Sequence, residues 1–140
     1  MIHVGVVDDD ALVRRVLTTL LNTQDDISVT WAATDGDEAL NHLNSSNQPD
    51  VEAVLLDIQM PHIDGITLAT IISTEFPQTA TLILTTFTDR QLVNKALAVG
   101  VNGFIAKEDS IESIAGAIRQ AVEGLSLIHI SEPTRLLSIS

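Results

Sequence analysis

Ile2-His3-Val4-Gly5-Val6-Val7-Asp8-Asp9-Asp10 begins as a mostly apolar, β-branched run and stops on three carboxylates. From Ala11 the apolar period changes to 3.6 residues. Val13, Val16, Leu17, Leu20 and Leu21 share one face of a helix, with Arg14, Arg15, Thr18 and Thr19 off it. Asp10 is placed to cap that helix. A buried strand that feeds a helix through a short turn is the repeating unit of a parallel α/β fold.

The unit recurs along the chain. Ile27 to Ala33 reads as a second strand, Thr34-Asp35-Gly36-Asp37 as a turn, and Glu38 to Asn44 as a short helix. Gln48-Pro49-Asp50 breaks the chain before a nearly all-apolar third strand, Val51 to Leu56, which ends on Asp57. Met60 to Gly65 is a loop, Ile66 to Glu75 a helix, and Phe76-Pro77 its stop. Thr81 to Leu84 is a fourth strand ending on Thr85-Thr86, and Asp89 to Val99 a helix closed by Gly100 at C′. Gly103 to Ala106 is a fifth strand ending on Lys107, and Ser110 caps a last helix from Ile111 to about Glu123. Apolar strands with helical crossovers predict a doubly wound five-stranded parallel sheet covered on both faces. Such sheets bind ligands outside the carboxyl ends of their strands.

Composition narrows the chemistry available there. The 140 residues suit one domain, and 45% hydrophobic against 19% charged residues is a globular balance. Nineteen Asp and Glu against seven Lys and Arg give a net charge of −12, which disfavours nucleic acid and anionic membranes as direct partners. Cysteine is absent, so disulfides, thiolate metal sites and cysteine nucleophiles are excluded. No apolar run reaches the roughly 18 residues of a membrane span. The N-terminus lacks the basic segment of a signal peptide, and a cytoplasmic location is expected.

Four strand ends carry complementary groups: Asp8 and Asp9, Asp57, Thr85 and Lys107. Alone, each has an ordinary explanation. An aspartate after a strand is often a helix cap, a threonine a β-former, a lysine a solvated turn residue. Gly65 and Gly100 read as turn and cap residues, Met60 as packing, and His3, His42 and His62 are too scattered for a metal site. Together the four ends predict one site. Clustered carboxylates repel unless a proton or a cation sits among them. Oxygen-only ligands suit Mg²⁺, and Mg²⁺ with Lys107 can hold a phosphoryl group. Asp57 is then the nucleophile, with Thr85 a hydroxyl donor to a phosphoryl oxygen.

This arrangement resembles the receiver domain of bacterial two-component response regulators. The carrying segments are Val6-Val7-Asp8-Asp9, Leu55-Leu56-Asp57-Ile58-Gln59-Met60-Pro61, Asp64-Gly65, Leu84-Thr85-Thr86 and Gly103-Phe104-Ile105-Ala106-Lys107. The resemblance implies a flavodoxin-like (CheY-like) sheet of strand order 2-1-3-4-5. It implies that Asp57 accepts a phosphoryl group from a sensor histidine kinase. It assigns Mg²⁺ to Asp8, Asp9, Asp57 and the backbone carbonyl of Gln59. Lys107 would pair with the phosphoryl group, while Thr85 and Phe104 would move together as a switch. Glu108 departs from the proline that often follows the lysine, and Thr86 stands where a smaller residue is common. With Leu84 to Asp89 and Ala98 to Gly103, this resembles the NarL/LuxR-type subfamily, whose C-terminal helix-turn-helix domain binds DNA and is missing here. Homodimerisation on phosphorylation is compatible with that subfamily.

Leu125 to Ser140 breaks with everything before it, and Leu125 to Arg135 matches the in-frame translation of a transposase sequencing adaptor. The expected organisation is a receiver domain over 1–124 and a non-native tail over 125–140. Two alternatives compete. One is a stand-alone receiver that signals by protein contacts. The other is an aspartyl-phosphate phosphatase, which would want a second aspartate where Gln59 stands. A signalling module, not an enzyme, is the expectation.

Overall fold

The central strands are buried on both faces for most of their length, which is why their sequences run nearly continuously apolar. A computed structural model describes residues 1–58, 60, 64–86 and 90–126, with side chains to residue 124. The elements alternate as β1 (Ile2–Val7), α1 (Ala11–Leu21), β2 (Ile27–Ala33), α2 (Gly36–Leu43), β3 (Ala53–Asp57), α3 (Gly65–Glu75), β4 (Ala80–Thr85), α4 (Arg90–Ala98), β5 (Gly103–Ala106) and α5 (Ile111–Ser126). The strands form one parallel sheet in the order β2-β1-β3-β4-β5. The expected doubly wound fold and strand order are therefore present.

Successive strand residues alternate between two cores. Val4, Val6, Leu55, Leu82, Leu84 and Ile105 pack under α1 and α5. Val7, Val54, Leu56 and Ile83 pack with Trp31 under α2, α3 and α4. β1 slips register against β2 between Val4 and Gly5. At that slip the Trp31 ring lies where a Gly5 side chain would be, so only glycine fits.

Capping explains the earlier starts of α2 and α3, while β3 and β4 run to Asp57 and Thr85, one residue past the expected ends. Asp10 Oδ1 accepts from the Leu12 and Val13 amides at 2.9 and 3.2 Å, as expected for α1. Asp35 Oδ1 takes the Glu38 amide at 2.9 Å, so α2 starts two residues before the expected Glu38. Asp64 Oδ1 takes the Thr67 amide at 2.8 Å and starts α3 at Gly65, one residue before the expected Ile66. Gly100, at φ 87°, closes α4: its amide donates to Leu97 O, and the Val101 amide to Ala96 O. Ser110 Oγ caps α5 through the Ser113 amide at 3.2 Å.

Two expectations need correction. α5 does not stop near Gly124 but runs to Ser126. A glycine costs a helix only about 1 kcal/mol relative to alanine, which does not terminate it unaided. On α1, only Leu17 and Leu21 of the predicted apolar face are buried. Val16 and Leu20 are exposed, as is Leu12 beside them, because the stripe is wider than the contact with β1, β2 and α5. Asp89, the expected first residue of α4, and residues 127–140 lie outside the described residues.

Arg119 ties α5 to the turn before β2. Its Nε and Nη2 donate to the two carboxylate oxygens of Asp26 at 2.8 and 2.9 Å, and Nη2 also reaches Gln24 Oε1 at 3.0 Å. These hydrogen bonds hold the Asp26 carboxyl below the usual carboxylate range. Among the described residues no helix is long and apolar enough to cross a membrane.

Candidate functional site

The parallel register brings the strand ends together. Val7 pairs with Leu56, so the next residues, Asp8 and Asp57, leave the sheet side by side. Thr85 pairs with Ala106, and the Lys107 amide donates to Thr85 O at 3.0 Å, which places Lys107 at the same edge. One oxygen from each of Asp8, Asp9 and Asp57 lies within 4.8 Å of the others. Asp8 and Asp57 are buried and Asp9 is exposed. Lys107 Nζ sits 3.3 Å from Asp57 Oδ2 and 3.8 Å from Asp8 Oδ2, so it pairs chiefly with Asp57.

Asp8 is held from every side but one. Its amide donates to Ala33 O at 3.1 Å, its Oδ1 accepts from the Asp10 amide at 2.9 Å, and its carbonyl accepts from Arg14 Nη1 at 2.8 Å. Oδ2 alone, wholly buried, has no hydrogen-bond partner among the described residues; Lys107 Nζ lies 3.8 Å from it. Burial, above all, pushes the Asp8 carboxyl upward; Asp57 and Asp9 add to this, while the Asp10 amide and Lys107 oppose it. An orphaned carboxylate oxygen among two further carboxylates fits a hard divalent cation, whose charge reverses that penalty. The acidic cluster can hold such an ion.

Thr85 is buried at the end of β4. By strand alternation it falls on the side of Ile83. Ile83 pairs with Phe104 across the β4–β5 ladder. Phe104 is half-buried against the core that includes Ala96 of α4. Both expected switch residues thus belong to the layer beneath α4. Gln59, whose carbonyl was expected at the metal, lies outside the described residues, as does His62. His3 and His42 are engaged elsewhere: His3 Nδ1 lies 3.2 Å from Thr30 Oγ1, and the His42 ring stacks on Trp31 at 5.0 Å.

Two contributors were missed in the sequence. Arg14 lies off the apolar face in the sequence pattern, yet it returns to the Asp8 carbonyl. Gly65 reads in the sequence as a turn residue. A side chain there would strike the Asp57 carbonyl and the Ile58 backbone. The Gly65 amide donates to Ile58 O at 3.3 Å, so α3 begins hard against the end of β3.

A parallel sheet of this order, with carboxylates and a lysine at its carboxyl edge, has the architecture of a receiver-type signalling domain. The family model of the response regulator receiver domain matches residues 4–119. The chain belongs to this family. It is 33% identical over 137 residues to the uncharacterized transcriptional regulatory protein YxjL of Bacillus subtilis strain 168, covering 98% of this chain and 62% of that protein. It is 35% identical over 126 residues to the response regulator protein VraR of Staphylococcus epidermidis, covering 90% and 59%. The chain therefore spans about three fifths of the length of these curated relatives. Among solved structures it resembles the signal receiver domain of a response regulator designated NarL from Mycobacterium tuberculosis. The TM-score is 0.79 and the identity 27%, over 88% of this chain and 97% of that one.

Proposed function

We propose that this chain is the phosphoacceptor domain of a response regulator, with Asp57 taking a phosphoryl group from a sensor histidine kinase in an Mg²⁺-dependent reaction. The carrying observation is the convergence of Asp57, Asp8 and Lys107 at one sheet edge, with Lys107 3.3 Å from Asp57. A carboxylate oxygen of Asp57 attacks phosphorus as the bond from phosphorus to the donor imidazole nitrogen breaks. The electron pair stays on that nitrogen. Asp8 and Asp9, with Asp57 and the Gln59 carbonyl, would hold Mg²⁺. When bound, the ion neutralises charge on the phosphoryl oxygens. Lys107 supplies a second positive charge beside the acceptor, and burial of Asp57 limits access of water to the acyl phosphate. Thr85 donates its hydroxyl to the new anion, and Phe104 follows it. The added charge thereby biases the α4 and β5 surface.

The output is read as a DNA-binding domain that follows the receiver. The named function of the relative YxjL, transcriptional regulation, supports this reading. The acidic charge of −12 makes this segment itself a poor DNA ligand. A cytoplasmic location and homodimerisation on phosphorylation go with the same reading. Residues 125–140 are read as non-native tail. Sequence from the source DNA beyond codon 124 separates a stop codon, which favours a stand-alone receiver, from a helix-turn-helix pattern.

Intact mass after incubation with acetyl phosphate tests the acceptor. The expected result is one phosphoryl adduct that requires Mg²⁺ and is lost in Asp57→Asn. A folded chain that gains no adduct, or an adduct that survives in Asp57→Asn, overturns the assignment.

A further inference from the structure

We propose that Arg14 is a positioning residue for the divalent cation: its guanidinium holds the Asp8–Asp9 turn in the shape that binds metal, without touching metal or phosphoryl group. The inference rests on reading the acidic cluster as a cation site. Arg14 lies near the start of α1, where the helix dipole disfavours a cation. The first turn carries no acidic residue to compensate. The dipole and the capping Asp10 do not set the direction of Arg14; a backbone carbonyl does. Nη1 donates to the Asp8 carbonyl at 2.8 Å.

That bond completes the restraint of Asp8. Its amide, its carbonyl and Oδ1 are each tied to a different neighbour: Ala33, Arg14 and Asp10. The one polar atom left over is the buried Oδ2, which a cation would meet. Cutting the Arg14 bond frees the Asp8 carbonyl, and the turn from Asp8 to Asp9 loses one of its three anchors. Charge alone predicts the opposite effect, because an arginine near the site repels a metal ion. Arg15 separates the two. It is the exposed next residue on the same helix and carries the same charge.

The test is calorimetric titration of the chain with Mg²⁺ alone, with thermal unfolding in chelator to establish that each variant is folded. Arg14→Met should weaken Mg²⁺ binding about tenfold, the scale at which residues supporting metal ligands act. Arg15→Met should change it by less than about twofold, as an exposed and screened charge. Arg14→Lys keeps a charged donor on a slightly shorter side chain and should recover part of the affinity, even should Arg14→Met fold poorly. Labelling by acetyl phosphate should need more Mg²⁺ in Arg14→Met but reach the wild-type rate at saturation. Equal or tighter Mg²⁺ binding in Arg14→Met than in Arg15→Met overturns the role of Arg14. So does Arg14→Lys weakened as much as Arg14→Met. Absence of Mg²⁺ binding by the wild type overturns the cation site itself, and this inference with it.

Discussion

Replacing Asp8 by asparagine should make the metal-free protein more stable while removing its response to Mg²⁺. With an effective dielectric constant of 20, the Asp8 and Asp57 oxygens, no more than 4.8 Å apart, repel by at least about 3.5 kcal/mol. Lys107, 3.8 Å from Asp8 Oδ2, returns about 4.4 kcal/mol. The lysine side chain is 32% exposed, so solvent screens its attraction more than the buried repulsion. The two nearly cancel. What decides the sign is the removal of the Asp8 carboxylate from water, a penalty of several kcal/mol offset in part by the Asp10 amide. The upward push on the Asp8 carboxyl has the same cause and the same sign. Asparagine keeps the acceptor for the Asp10 amide and drops the charge. A gain of about 2 kcal/mol is expected, or roughly 5–10 °C in Tm for a domain of this size.

Thermal unfolding in chelator and in excess Mg²⁺ is the assay. Metal at about 100 times Kd should stabilise the wild type by about 2.7 kcal/mol and the variant far less. The pH dependence carries the same sign. A carboxyl raised in the folded state binds its proton more tightly there than in the unfolded chain. The metal-free wild type therefore gains stability as pH falls through the raised titration, until the unfolded chain protonates as well. Asp8→Asn lacks that gain. A variant less stable than the wild type in chelator would refute the reasoning, because Lys107 would then outweigh burial.

Gly65→Ala should destabilise the fold by about 1–3 kcal/mol, since the new methyl group meets only backbone, the Asp57 carbonyl and Ile58. Urea unfolding measures this, and unchanged stability would mean that α3 can shift freely from the acceptor. Asp26 is held low by Arg119, so its contribution is present above the ordinary aspartate range and lost as pH falls below it. Asp26→Asn should flatten that part of the acid-unfolding profile, and a profile identical to wild type would remove the Arg119 clamp as a stabilising contact.

Much of this was legible in the residues because the signals are local. Period-2 burial, 3.6 periodicity and capping aspartates act within a few positions, and they placed β1, β2 and β5 to the residue and the start of α1. Asp35 and Asp64 show the limit. Each was read as part of a turn or loop, and its cap bond extends the helix into that turn. α5 shows another, because no signal in Gly124 distinguishes a helix stop from a tolerated glycine.

The sequence by itself determined which chemistry meets at the sheet edge, since parallel strands must deliver their carboxyl ends to one side. The tertiary structure alone decided how those groups are held. Arg14 turns back to a carbonyl six residues earlier. Gly65 is required because β3 ends against the start of α3. Ala33, Asp10 and Arg14 tie the other polar atoms of Asp8 and leave Oδ2 without a hydrogen bond among the described residues, 3.8 Å from Lys107. These are distances between groups from different elements, and one-dimensional periodicity carries no information about them.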